Sequence, residues 1–246
     1  MCKNNGKNVW KVALAAILAA AVSVGLASCS GQKDDDLQAV NDLTSVSQLL
    51  VGQHVTFGVY EQDNDASNGA DPVEWRVLAV EDGRALLITE KLMDYVAFRY
   101  DDSGIKDASF KDRWNISTLR RWLESFDYFA FHGKDNDKLT YSDNYRYSYS
   151  FVLNKDEVNQ YFTSEVDRIA SPTAYANTQA YNIQNVNDIQ SMQSYAGVNQ
   201  SNGWWLYPSG ADKNSTFVNP IGKVTTDRKK LDDKLICMRP AVWITL

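Results

Sequence analysis

Apolar–polar alternation at both ends of the stretch 50–246, with helical spacing only between, constrains the fold of this chain most. A strand sends successive side chains to opposite faces, so a period of two marks a sheet with one face in a core. His54-Val55-Thr56-Phe57-Gly58-Val59-Tyr60 alternates in this way, and Val73-Glu74-Trp75-Arg76-Val77-Leu78-Ala79-Val80 does so near its start. Glu81-Asp82-Gly83-Arg84 is a hairpin turn signal. Ala85-Leu86-Leu87-Ile88-Thr89 returns as a more buried strand, which predicts a three-stranded meander. Trp204-Trp205-Leu206-Tyr207, Thr216-Phe217-Val218, Gly222-Lys223-Val224-Thr225 and the run from Ile236 to Leu246 regain strand character.

Between these blocks the spacing turns helical. Asn115 and Ser117 are N-cap candidates ahead of Leu119, Trp122, Leu123 and Phe126, which fall on one helix face. Asn154-Lys155-Asp156-Glu157 is a capping-box variant before Val158, Tyr161 and Phe162. Ser171-Pro172 places a cap before a proline at the first helical position and predicts a short helix over 173–178. Residues 181–202 are rich in Asn, Gln and Ser and read as a long surface loop or an insertion with little core. Strands at both ends with helices between give an α+β domain. Its mixed, mainly antiparallel sheet is expected to set the N- and C-terminal strands side by side.

The N-terminus carries a different message. Lys3, Lys7 and Lys11 precede an apolar run from Val12 to Val24, which closes on Leu26-Ala27-Ser28-Cys29. This is the basic, apolar and small-residue order of a secretory signal. The run is short for a bilayer core of roughly 30 Å. The Cys directly after the small residues resembles the lipobox of bacterial lipoproteins. That resemblance implies cleavage before Cys29, a lipid such as palmitate on its thiol, and partnership with a membrane. It divides the chain into a signal at 1–28, a lipidated Cys29 with a flexible tether to 49, and one domain over 50–246. A tether of that composition spans roughly 20–25 Å on average. Gln32-Lys33-Asp34-Asp35 also resembles the Lys-plus-acid signal of Gram-negative lipoproteins sent to the cell surface. The expected location is therefore the outer membrane or the cell surface.

Three of the 25 Lys and Arg and none of the 31 Asp and Glu precede Cys29, so the mature part carries a net charge of about −9. Such a domain is a poor partner for nucleic acid or anionic headgroups. Of the three cysteines, Cys2 leaves with the signal and Cys29 takes the lipid, which leaves Cys237 without an intrachain partner. A single Cys between Ile236 and Met238 on a strand reads as a small buried hydrophobe.

The order of these segments resembles a family. Val55 to Tyr60, Val73 to Leu78, Ala85 to Lys91, Leu119-Arg120-Arg121-Trp122-Leu123, Trp204-Trp205-Leu206 and Met238-Arg239-Pro240-Ala241-Val242-Trp243-Ile244 are similar to the secreted bacterial domain of unknown function 6273. The likeness covers nearly all of residues 50–246 and brings no established activity. Its Trp-Trp-Leu and Arg-Pro-Ala endings are similar to the C-type-lectin-like fold, including its formylglycine-generating branch. The Arg-Ser-Pro-Gly usual after the tryptophans stands here as Tyr207-Pro208-Ser209-Gly210.

Two constellations are candidates for binding. Asp63, Asp65, Ser67, Asp71 and Glu74 put oxygens at relative positions 1, 3, 5, 9 and 12, the ligand spacing of a calcium loop. Against calcium, Gly69 falls at position 7, where the turn wants it at 6, and Glu74 belongs to a strand motif. Tyr145, Tyr147 and Tyr149 recur with period two, and Trp204, Trp205 and Tyr207 add to an aromatic surface of the kind that stacks on sugars. Only His54 and His132 exist, so a His-rich metal site is excluded. No Gly-x-Ser-x-Gly elbow and no phosphate-cradling Gly loop occurs. Trp75, Trp122 and Trp243 read as core, and Arg76, Arg120 and Arg239 as ion-pair or carbonyl-binding arginines. The leading expectation is a lipid-anchored, non-catalytic domain that binds a glycan or a protein, with no cofactor beyond the calcium candidate. The alternatives are an enzyme acting on surface polymers and a structural envelope subunit.

Overall fold

The computed structural model describes residues 41–43, 48–98, 114–141, 148–183, 203–207, 215–227 and 236–246. All of them lie in the unit Ala39–Leu246. Cys29, the signal, Tyr145, Tyr147, residues 184–202 and Pro208-Ser209-Gly210 lie outside the described residues.

The expected meander forms from β2 (His54–Tyr60), β3 (Asp71–Glu81) and β4 (Arg84–Thr89), all antiparallel. Asp82 and Gly83 turn the β3–β4 hairpin with φ of 49° and 71°, the double positive φ that a two-residue turn of this hand requires. Register shifts between Thr56 and Val59 mark a bulge in β2. Gly58 sits in that bulge at φ 69°.

Ahead of the meander, β1 (Asn41–Asp42) pairs in parallel with Val55 and Thr56. Leu43 and Leu49 are buried. The packed domain thus reaches back into the stretch read as tether, because two leucines there find a place in the core.

The C-terminal strand β11 (Ala241–Thr245) does not lie beside β2. It runs antiparallel to β4, from Ala241 opposite Ile88 to Thr245 opposite Arg84, and takes β6 (Leu139–Thr140) on its other side. The order is β1-β2-β3-β4-β11-β6. Both edges of β2 are already used, by β1 and β3, so the free edge of β4 receives the last strand. On β4, Leu86 and Ile88 face one core cluster, and Ala85 and Leu87 another. Burial on both faces explains why its sequence is a continuous apolar run.

A second sheet has the order β5-β10-β7-β8-β9. Its strands are β5 (Asp94–Tyr95), β7 (Trp204–Leu206), β8 (Ser215–Val218), β9 (Val224–Asp227) and β10 (Cys237–Met238). The run Ile236–Leu246 therefore splits between two sheets, with Arg239 and Pro240 at the crossing. Proline lacks the N–H that a central strand donates.

Three α-helices and two short 3-10 turns, Gly133–Asp135 and Val166–Arg168, lie among the described residues. In α1 (Thr118–Ala130), the Ser117 side chain accepts from the Arg120 N–H. Leu119, Leu123 and Phe126 are buried and Trp122 is half-buried, as the spacing required. In α2 (Lys155–Tyr161), Asn154 and Glu157 form the full capping box. In α3 (Ala174–Ile183), the cap is Thr173, whose hydroxyl accepts from Ala176 N–H, instead of Ser171. Pro172 stays outside the helix in a bridge to Leu92, and the helix runs beyond the expected 178. Strands that are mostly antiparallel, with a few helices, make this an α+β fold.

Candidate functional site

Among the described residues, the aromatics picked from sequence, Tyr149, Trp204, Trp205 and Tyr207, do not form one surface. Trp204 and Trp205 are each only 1% exposed. Their indole N–H groups donate to the Arg168 carbonyl at 3.0 Å and the Val96 carbonyl at 2.6 Å. A buried Trp needs such a partner, and with it these side chains become core, with no face for a ligand. Tyr207 is half-buried, edge-on to Trp114 at 4.9 Å. Tyr149 stacks on Tyr141 at 4.5 Å, and its backbone N–H donates to Asp127. Tyr149 lies in a bend, not on a strand.

A different aromatic group assembles where four elements meet. β2 ends at Tyr60, α1 brings Trp122, α3 brings Tyr175 and β5 starts at Asp94; all four residues are half-buried. The Tyr60 ring lies 6.1 Å from Trp122 at an interplanar angle of 62°, and 6.3 Å from Tyr175 at 85°. Phe126 supports them, 5.0 Å from Tyr60 and stacked on Trp122 at 5.2 Å. Asp94 Oδ2 accepts from Trp122 Nε1 at 2.9 Å, and Oδ1 accepts from the Tyr95 N–H at 2.7 Å.

The electrostatics of this group are one-signed. Burial raises the Asp94 pKa, and its two hydrogen bonds oppose the rise only in part. Burial and then the Asp94 charge push the Tyr60 phenol well above its ordinary value. Tyr175 is raised by burial, then by Asp94 and by Glu61. Among the described residues no Lys or Arg pairs with Asp94.

A second charged group lies along the meander. His54 Nδ1 sits 2.7 Å from Glu74 Oε1, and its Nε2 is 4.0 Å from Glu90 Oε2. Arg76 donates to Asp167 Oδ1 at 2.7 Å and to the Asp167 carbonyl at 3.0 Å. Asp167 is held below the usual carboxylate range: burial raises it, but the Thr163 and Arg76 bonds and the Arg76 charge together outweigh that. Arg239 is wholly buried and donates to the carbonyls of Thr89, Arg168 and Glu90. Its guanidinium lies 5.3 Å from the Trp204 ring. Burial, together with the Arg76 charge, pushes its pKa down to about 9. Arg76 and Arg239 are therefore the ion-pair and carbonyl-binding arginines expected from their motifs.

The acidic loop rearranges the calcium candidate. Asp65 Oδ1 accepts from Ser67, Asp71 Oδ2 accepts from the Gln62 and Asp63 N–H groups, and Glu74 turns to His54. Glu61, Asp63 and Asp71, not the five residues read from spacing, bring carboxylate oxygens within 4.8 Å of one another. Asp63 is held low, chiefly by the Asn68 side chain. A calcium ion takes six to eight oxygens, so three carboxylates would need bidentate contacts, backbone carbonyls or water to complete its shell.

Cys237 is fully buried, and burial drives its thiol pKa well up. A thiol in that state is not a nucleophile.

Sequence reasoning missed Asp94, Tyr60 and Tyr175, and took Trp122 for core alone. Tyr60 shows only the last beat of a strand pattern. Nothing local joins it to residues 94, 122 and 175, which tertiary contacts alone bring together. No family model, curated protein or solved structure matches this chain.

Proposed function

We propose that this chain is an exported lipoprotein, held to the envelope through Cys29, whose domain binds a ligand without converting it. The observation that carries the binding reading is the meeting of Tyr60 with Trp122 and Tyr175, beside the Asp94 carboxylate that Trp122 bonds to. Aromatic walls give stacking area, while phenol, indole and carboxylate edges give hydrogen bonds to a polar ligand. Anchoring many copies on one surface raises the avidity of a weak site. The anchoring reading rests on the order of lysines, apolar run and Leu26-Ala27-Ser28-Cys29. The finer fold assignment, C-type-lectin-like with a domain of unknown function 6273, belongs to the same proposal and rests on the order of the motifs.

A glycan-array screen of the mature protein, repeated with Trp122→Ala, tests the binding half. Binding lost in the variant supports it; an array silent for both defeats the glycan form. Palmitate labelling that disappears in Cys29→Ser tests the anchor. A protein ligand is the other form, read by crosslinking at the cell surface. Thermal shifts with calcium and with chelator decide whether Glu61, Asp63 and Asp71 hold a cation.

One observation favours an enzyme as the second reading. A carboxylate on His54 Nδ1 orients the imidazole as in a general base. Turnover on a surface polymer that His54→Gln abolishes would establish it.

A further inference from the structure

We propose that the site formed by Tyr60, Trp122, Tyr175 and Asp94 takes the ammonium group of an organic cation. The inference deepens the binding reading and rests on it.

The rings stand at steep angles to one another. Tyr60 is the shared wall, with Trp122 inclined at 62° and Tyr175 at 85°, and centroid separations of 6.1 and 6.3 Å. Rings at such angles turn their faces in different directions, where a parallel stack would cover them. An alkylammonium ion is attracted to the negative faces of Trp and Tyr within about 6 Å. It carries methyl or methylene groups that gain from leaving water and a charge that does not need tight hydrogen bonds.

Asp94 supplies the counter-charge. Its carboxylate is anchored from both sides, by the Trp122 indole and the Tyr95 N–H, so it stays at the site instead of swinging into solvent. It is partly desolvated and has no cationic partner among the described residues. A half-buried anion without a counter-ion costs free energy that a bound cation offsets.

The surroundings share its sign. The Asp94 charge reaches Tyr60, Tyr175 and Cys237, and Glu61 reaches Tyr175. The Tyr175 N–H donates to the Gln62 carbonyl, which ties α3 to the loop that carries Glu61, Asp63 and Asp71. A cation approaching this end of β2 meets carboxylates on the rim and one at the site. A neutral sugar gains nothing from that field, and an anionic one is repelled.

The test is a titration of the mature full chain with choline chloride and with tetramethylammonium, followed by Trp fluorescence and calorimetry. 3,3-Dimethyl-1-butanol, the uncharged isostere of choline, is the control at equal ionic strength. The expected result is a saturable response to both cations and none to the alcohol. Asp94→Asn should weaken binding at least tenfold, and Trp122→Ala should abolish it. Tyr175→Ala, on the outer helix, repeats the test should either of those variants fold poorly. Glu90→Gln, in the separate charged group, should leave binding unchanged. Equal binding of alcohol and choline overturns the proposal, as does an Asp94→Asn variant that binds choline like wild type. A neutral glycan whose binding needs Trp122 but not Asp94 removes the ammonium inference and leaves the binding domain standing. Silence toward the cations and toward every glycan removes the ammonium inference and the glycan form together, and leaves the protein form to the crosslinking experiment.

Discussion

Gly58 is where the meander and the first helix press on each other, and replacing it with Ala has a calculable effect. A Cβ at this position would lie 2.6 Å from the Ala130 carbonyl oxygen and 2.9 Å from Phe131 Cδ1. Ala130 ends α1, and both residues are buried. Two costs add. Holding an L-residue at φ 69° costs roughly 1–2 kcal/mol. Relieving a contact with backbone, which cannot rotate away, costs about 1–3 kcal/mol. The sum, about 2–5 kcal/mol, is a large share of the stability of a domain of this size. It corresponds to a fall in Tm of roughly 4–20 °C.

Gly83 isolates the two contributions. It has nearly the same φ, 71°, and nothing lies within 4 Å of the point where a Cβ would stand. Gly83→Ala therefore suffers the backbone cost alone. Urea unfolding of wild type, Gly58→Ala and Gly83→Ala, followed by Trp fluorescence, should place Gly58→Ala about 1–3 kcal/mol below Gly83→Ala with an unchanged m-value. Equal losses in the two variants would refute the close approach of β2 to the end of α1, and with it the geometry that brings Trp122 to Tyr60.

Three other outcomes follow from the buried polar groups. The raised pKa of Asp94 means the folded state binds a proton more readily than the unfolded state. Its contribution is fully present below the unfolded carboxylate pKa and is lost as pH rises through the folded value. The difference in stability between wild type and Asp94→Asn should therefore shift against wild type across that window; a difference that is flat with pH removes the raised pKa. Arg239→Ala leaves the carbonyls of Thr89, Arg168 and Glu90 without their donor in the interior and should cost about 3–5 kcal/mol in chemical denaturation. Cys237 should resist a soluble disulfide reagent in the folded mature protein and react within minutes in urea. Rapid labelling without denaturant would place this thiol outside the core.

Local chemistry is what the sequence makes legible. The β3–β4 turn is readable because Asp82 and Gly83 tolerate positive φ. Ser117 and the Asn154–Glu157 pair are readable because a cap uses residues three apart. Arg239 and Cys237 are legible as structural from their apolar neighbours. Thr173 is hidden, because Ser171-Pro172 offers the same cap pattern two residues early, and only the bridge of Pro172 to Leu92 decides between them. Trp204 and Trp205 are ambiguous for a related reason. An aromatic on a strand stacks equally well on a ligand or on a second sheet.

By itself the chain determined the α+β class, the β3–β4 hairpin and the helix caps, since each depends on neighbours along the backbone. Tertiary structure decided that β11 lies against β4, that one strand run divides between two sheets, and which acids come together in the loop. It also decided that Tyr60 meets Trp122 and Tyr175, and that Trp122 bonds to Asp94. These depend on which edges and faces remain free once earlier strands have paired, and no spacing along the chain encodes that.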